Sequence, residues 1–85
     1  MTEITLKLSG REVKQILDGL LQVGYDYGKR SEAEELRLIE CQMDENEIGV
    51  EMASARMKGL RDRESAAYSA YDKVKAEAMR LGLIS

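Results

Sequence analysis

The sequence predicts a small, mainly α-helical protein that begins with one short β-strand and assembles as an oligomer. The 85-residue chain has no proline, and 34% of its residues are charged. Its apolar residues include five methionines but no phenylalanine or tryptophan. This composition is typical of helices packed on helices. A single domain of this length has a thin core unless subunits share it, which favours an oligomer.

Residues 3–8 alternate between apolar and polar side chains. Ile4, Leu6 and Leu8 are separated by polar residues, which is the period of a half-buried strand. A lone strand leaves its edge unpaired. We therefore expect a partner strand, either from a second chain or from residues 47–52.

A helix is predicted over residues 10–24. Ser9 and Glu12 have the spacing of a capping box, in which each side chain satisfies the other residue's backbone N–H. Apolar residues then recur at helical spacing. Gly24 or Gly28 is expected to end this helix, because glycine is favoured just past a helix C-terminus.

A second helix over residues 31–60 and a third over residues 62–82 are predicted from a seven-residue apolar repeat. Ser31 opens a second capping box. The repeat predicts a helical hairpin or coiled coil whose contact surface, the predicted seam, joins subunits. Asn46 is the polar position expected to fix its register. A turn at residues 44–49 is the alternative to a continuous helix there. The predicted seam consists of Leu36, Ile39, Met43, Asn46, Val50, Ala53, Met57, Leu60, Tyr71 and Val74.

Charge is distributed unevenly along the chain. Residues 31–52 carry eight acidic residues and one basic residue, whereas residues 53–85 carry seven basic and four acidic residues. These segments are expected to lie antiparallel, within one chain or between two. A basic cluster of Arg56, Lys58, Arg61 and Arg63 is assigned to this pairing. Nucleic acid is the less favoured partner, because the sequence pI is about 5.0.

A candidate ligand site is formed by Tyr25, Tyr27, Lys29 and Arg30. Tyrosines can stack on a base, and basic side chains beside a helix N-terminus can hold phosphate. The sequence lacks both glycine-rich phosphate-binding motifs. A plain linker between two helices is therefore the favoured interpretation, and a small anionic ligand or nucleotide is the alternative.

Metal and nucleophile chemistry are not favoured by the residues present. Glu40, Asp44, Glu47 and Glu51 would line one face of a continuous helix, which suits a solvated surface, a metal site or a mimic of nucleic acid. The chain has no histidine. Glu32 and Glu35 form a Glu-x-x-Glu pair, but no Glu-x-x-Asp is present to complete a metal site with it. Cys41 is the single cysteine, so no internal disulfide forms. We predict no metal, no cofactor and no enzymatic activity.

The opening from Ile4 to Leu21, "ITLKLSGREVKQILDGLL", resembles that of short proteins encoded by phages and prophages. The resemblance covers about the first quarter of the chain and carries no site motif. It implies an accessory protein that binds a host or phage component, such as a defence inhibitor. The opening is unlike a signal peptide, and no stretch is apolar enough to span a membrane. We therefore expect a cytoplasmic protein that binds a protein target.

Overall fold

The computed structural model describes residue 3 and residues 6–84, and it is a hairpin of two long helices. Helix α1 spans Gly10–Met43 and helix α2 spans Glu47–Arg80, with 34 residues each. The helices run antiparallel along each other, so the molecule measures 55 × 27 × 15 Å. The predicted mainly helical fold is confirmed.

The capping box at the start of α1 is also confirmed. The Ser9 hydroxyl accepts a hydrogen bond from the Glu12 backbone N–H at 3.2 Å, and the Glu12 carboxylate accepts one from the Ser9 N–H at 3.0 Å. The backbone N–H of Ser9 and, second, its hydroxyl lower the pKa of Glu12 below its ordinary value of 4.5. The charged carboxylate therefore favours the folded helix.

We expect Ser9→Ala to lower the free energy of unfolding by about 1 kcal/mol, because the first turn of α1 loses its cap. The contribution of Glu12 is present above its unfolded pKa and is lost as pH falls through the lower, folded pKa. Urea unfolding followed by circular dichroism across acidic pH measures both effects. The exposed mid-helix Ser54→Ala is the control, and an equal loss of stability in both variants would contradict the cap.

A three-residue turn, Asp44–Asn46, reverses the chain. Glu45 has a φ of 54°, which is the left-handed conformation. The Asn46 side-chain oxygen accepts a hydrogen bond from the Gly49 backbone N–H at 3.0 Å and caps α2. Asn46, predicted on the seam, is therefore the N-cap of the second helix.

The predicted helix end near residue 24 and the predicted start at residue 31 are wrong, since α1 continues through both. Gly24 and Gly28 lie inside the helix, where a Cβ atom at Gly24 would come within 2.7 Å of the Tyr68 ring and one at Gly28 would overlap the Glu64 carboxylate. Gly24 thus lets the Tyr68 ring of α2 approach closely. Ser31 is buried and accepts a hydrogen bond from Arg61 Nε at 3.3 Å, so it is not an N-cap.

The predicted helices over residues 31–60 and 62–82 are also corrected. The chain turns at Asp44–Asn46, within the region given as the alternative, and α2 runs without interruption through residues 60–62. Gly59 lies in the interior of α2. The local weakness that a glycine introduces is overridden by the packing of the long helix.

The predicted strand at residues 3–8 is not found in the part that the structure describes. Residues 6–9 have no regular secondary structure, and Ile4 and Thr5 lie outside the described residues. Leu6 is 67% exposed, whereas Leu8 packs against the helices. No strand occurs within residues 6–84, so residues 47–52 are helical and provide no partner.

The core is thin and consists mostly of small side chains. Val13, Leu17 and Ala78 form its main cluster near the open end, while Ala53 and Ala67 are buried further along α2. No large side chain in the described chain is fully buried. The least exposed residues of α1 and α2 recur at alternating intervals of three and four, as in helices that pack along a heptad repeat.

Candidate functional site

The four predicted ligand residues lie in the middle of α1 and are divided between two sides of it. Lys29 Nζ lies 5.4 Å from the centroid of the Tyr25 ring, and both side chains are exposed. Tyr27 and Arg30 instead face the side where Arg63 of α2 approaches. The structure therefore brings two of the four residues toward α2 and leaves the other two on the outer surface.

A groove between the helices collects three arginines, and we call it the arginine groove. It has a volume of about 420 Å³. Its lining residues are Arg30, Ala33 and Glu34 of α1 with Arg56, Gly59, Leu60 and Arg63 of α2.

Tyr27 organises one end of the arginine groove. The guanidinium carbons of Arg30 and Arg63 lie 5.8 Å and 5.9 Å from the centroid of its ring. These are distances at which the electron-rich face of an aromatic ring attracts a cation. The half-buried ring thus lies within cation–π distance of guanidinium groups from both helices.

The positive charge of the arginine groove is only partly neutralised. Within residues 6–84, no carboxylate lies within 4 Å of the guanidinium groups of Arg30, Arg56 or Arg63. Glu34 is the acidic lining residue, and it already pairs with Arg37 at 3.3 Å. Its Oε2 atom is buried without a hydrogen-bond partner. The groove therefore carries a net positive charge.

The predicted seam divides between two surfaces. Its α2 members, from Val50 to Val74, are buried or half-buried against α1 of the same chain. Its α1 members are exposed instead, by 65% for Leu36, 46% for Ile39 and 80% for Met43. Residues 44–46 are not helical, so the seven-residue repeat does not continue across them. Its members on α1 and its members on α2 therefore face different directions.

Five of the seven large exposed apolar residues of α1 share one flank of the helix, which we call the outer stripe. At 100° per residue, they project within about 60° of one another, roughly 90° around α1 from the buried residues that face α2. The outer stripe consists of Leu21, Tyr25, Leu36, Ile39 and Met43. Single exposed apolar residues are ordinary on a protein surface, but an aligned set marks a contact surface.

The predicted acidic face is interrupted by the turn. Glu40 and Asp44 lie at the end of α1, whereas Glu47 and Glu51 lie at the start of α2. No three carboxylate or thiol groups within the described chain converge to hold a metal ion. Cys41 is half-buried at this end, where its sulfur would meet a Cβ atom at Gly49.

The predicted pairing of acidic and basic segments is limited to one contact across the helices in the region that the structure covers. Arg61 lies 3.9 Å from Glu35. Arg80 pairs within its own helix with Glu77, and this hydrogen bond lowers the pKa of Glu77 and raises that of Arg80. Arg56 and Arg63 belong to the arginine groove, and Lys58 is exposed.

From the sequence, Arg30 was assigned to the candidate ligand site, whereas Arg56 and Arg63 were assigned to a separate basic cluster. The seven-residue interval between the two α2 arginines places them on one face, and this signal was present in the sequence. Their alignment with Arg30 depends on where the chain turns. The groove was therefore missed because the turn was placed elsewhere.

Comparison with protein-family models, characterised proteins and solved structures finds no match to this chain. No helix within the described residues is both long and apolar enough to cross a membrane.

Proposed function

We propose that this protein acts without catalysis, by binding proteins: first a second copy of itself, and then, as a helical oligomer, a target protein. The outer stripe is the observation that supports this proposal. Its five apolar side chains are 42–80% exposed along one side of a 34-residue helix. Burying such a stripe releases water from apolar surface and favours association.

The thin core supports self-association. Three of the five buried apolar residues are alanines, while fourteen larger apolar residues remain exposed in the described chain. A small domain with so little buried surface gains stability when a second subunit covers its apolar face. A four-helix arrangement, made from two hairpins that pack through α1, meets that need.

Charge favours an antiparallel, two-fold arrangement of the two α1 helices. Residues 10–31 contain four basic and three acidic residues, whereas residues 32–45 contain one basic and six acidic residues. Antiparallel packing about Glu32 sets each acidic half against the more basic half of the other copy. It also sets Ile39 against Tyr25 and Met43 against Leu21, which is a self-complementary contact.

The sequence resemblance extends the proposal to the kind of work the oligomer does. Short phage and prophage proteins with a similar opening suggest an accessory or inhibitor protein, directed at a host system such as a defence. This proposal includes a location in the cytoplasm. The acidic end of the hairpin, around residues 40–51, suits a target that carries a basic surface.

Sedimentation equilibrium at micromolar concentration tests the self-association. We expect the protein to sediment at twice its 9.6 kDa chain mass. Leu36→Asp places a charge in the outer stripe and is expected to raise the dissociation constant of the dimer more than tenfold. Far-UV circular dichroism checks that the variant stays helical.

Ile48→Asp is the matched control for this experiment, because Ile48 is 72% exposed and lies outside the outer stripe. We expect this variant to remain dimeric. A monomeric parent protein, or equal behaviour of the two aspartate variants, would exclude the outer stripe as the subunit contact.

A further inference from the structure

We propose that the arginine groove binds a small ligand that carries two or more neighbouring phosphate groups. This site is separate from the outer stripe, so it does not depend on the proposed self-association. Three observations support it: the three guanidinium groups, the small lining residues Ala33 and Gly59, and the lack of a carboxylate paired with any of these arginines in the described chain.

The arrangement of the arginines suits a chain of phosphates. Arg56 and Arg63 are seven residues apart, which is about 10 Å along the axis of α2. Arg30 of α1 joins Arg63 at one end, where both guanidinium groups lie beside Tyr27. A single phosphate would reach one end of the arginine groove, whereas neighbouring phosphates would contact both ends.

Charge and hydrogen bonding favour phosphate oxygens in this place. Each guanidinium group presents a planar set of donors that matches phosphate, often through two bonds at once. Like charges that converge without a counterion repel each other, and a bound polyanion relieves this repulsion. Glu34 pairs with Arg37 through one oxygen and brings one negative charge to the lining, so the three arginines still leave the groove with a net positive charge.

Gly59, which lines the arginine groove, leaves room for a ligand. It lies in the interior of α2, where glycine is the least favourable residue after proline. A Cβ atom at this position would meet nothing within 4 Å, so packing within the chain does not require glycine here. Glycine in such a place permits a bound group to approach the backbone closely.

The surroundings limit the ligand to a small one. Arg56 lies near the end of the hairpin where Glu40, Asp44, Glu45, Glu47 and Glu51 are gathered. A nucleic acid strand or an acidic peptide long enough to leave the groove in that direction would meet these negative charges. A short phosphate chain ends before it reaches them.

Inorganic tripolyphosphate is the probe that tests this inference, with calorimetry and amide chemical shifts as the readouts at physiological ionic strength. We expect saturable 1:1 binding, with shifts concentrated between residues 27–34 and 56–63. Pyrophosphate is expected to bind more weakly than tripolyphosphate, and monophosphate more weakly still.

Two variants separate a specific site from general attraction. Arg56→Gln is expected to weaken tripolyphosphate binding at least tenfold. Lys58→Gln removes the same charge from an exposed position two residues away and is expected to change affinity less than twofold. Equal weakening by both variants, or no saturable binding by the parent protein, would overturn the proposal.

Two further variants test the shape and the charge of the groove. Gly59→Ala is expected to raise the melting temperature of the protein while it weakens binding, because the methyl group occupies space reserved for the ligand. Glu34→Gln is expected to strengthen binding severalfold by removing the negative charge from the lining. A short oligonucleotide or an acidic peptide that binds more tightly than tripolyphosphate would contradict the assigned ligand class.

Discussion

Leu17→Ala is expected to lower the free energy of unfolding by about 2–4 kcal/mol, which is a large share of the stability of a small protein. Leu17 is 7% exposed and packs with Val13 and Ala78 in the main core cluster. Small proteins are stable by roughly 5–15 kcal/mol in total. Because this core contains few large side chains, the loss of one leaves a cavity that its neighbours cannot fill.

Urea unfolding followed by far-UV circular dichroism measures the effect of Leu17→Ala. Ile48→Ala is the control, since Ile48 is 72% exposed, and it is expected to change stability by less than about 0.5 kcal/mol. Both variants are compared at one protein concentration, because self-association adds to apparent stability. Similar losses in the two variants would show that the core does not lie between Val13, Leu17 and Ala78.

Gly24→Leu is expected to destabilise the hairpin by about 1–3 kcal/mol, because it overfills the contact between the helices. Gly24 is buried, and the position of its missing Cβ atom lies 2.7 Å from the Tyr68 ring. Leucine has a much higher helix propensity than glycine, so propensity alone predicts a gain. A loss of stability would therefore show that the close approach of the helices outweighs the gain in helix propensity, and a gain would show the reverse.

Gly19→Leu provides the opposite case on the same helix. A Cβ atom at Gly19 would meet nothing within 4 Å. We expect this variant to gain about 0.5–1 kcal/mol, because only the helix propensity changes. Thermal unfolding of both variants measures the contrast, and a gain in stability for Gly24→Leu would be inconsistent with the tight contact at Tyr68.

Local signals in the sequence predicted local structure well. The Ser9 and Glu12 pair marked the start of α1, and the composition gave the mainly helical fold. The α2 part of the heptad repeat identified residues that do lie against another helix. Those inferences needed only neighbouring residues, whose chemistry is the same in the sequence and in the fold.

The errors came from positions where contacts distant in the sequence decide the structure. Gly24 and Gly28 resemble helix ends, yet both lie within α1 where α2 packs close, and a Cβ atom at Gly24 would clash with the Tyr68 ring. Ser31 resembles an N-cap, yet it is buried against Arg61. Pairing of the two helices, which the local sequence does not reveal, determines all three positions.

The candidate sites show the same division. Arg30 was identified from its neighbours, but its partners in the arginine groove follow from the turn at Asp44–Asn46. With the turn elsewhere, Arg56 and Arg63 would lie at a different level along α1. Leu36, Ile39 and Met43 of the outer stripe were predicted as seam residues, but their separation from α2 depends on the same turn.

The start of α1 at Gly10 and the end of α2 at Arg80 lie together, at the end of the hairpin opposite the turn. A Cβ atom at Gly10 would come within 2.8 Å of the Leu83 carbonyl oxygen, so the first turn of α1 touches the segment that follows α2. With helices about 50 Å long, a fluorophore attached at Ser9 or Gly82 is held far from Asp44–Asn46. A covalent crosslink between the segments that flank Gly10 and Arg80 would restrain fraying of both helices at once.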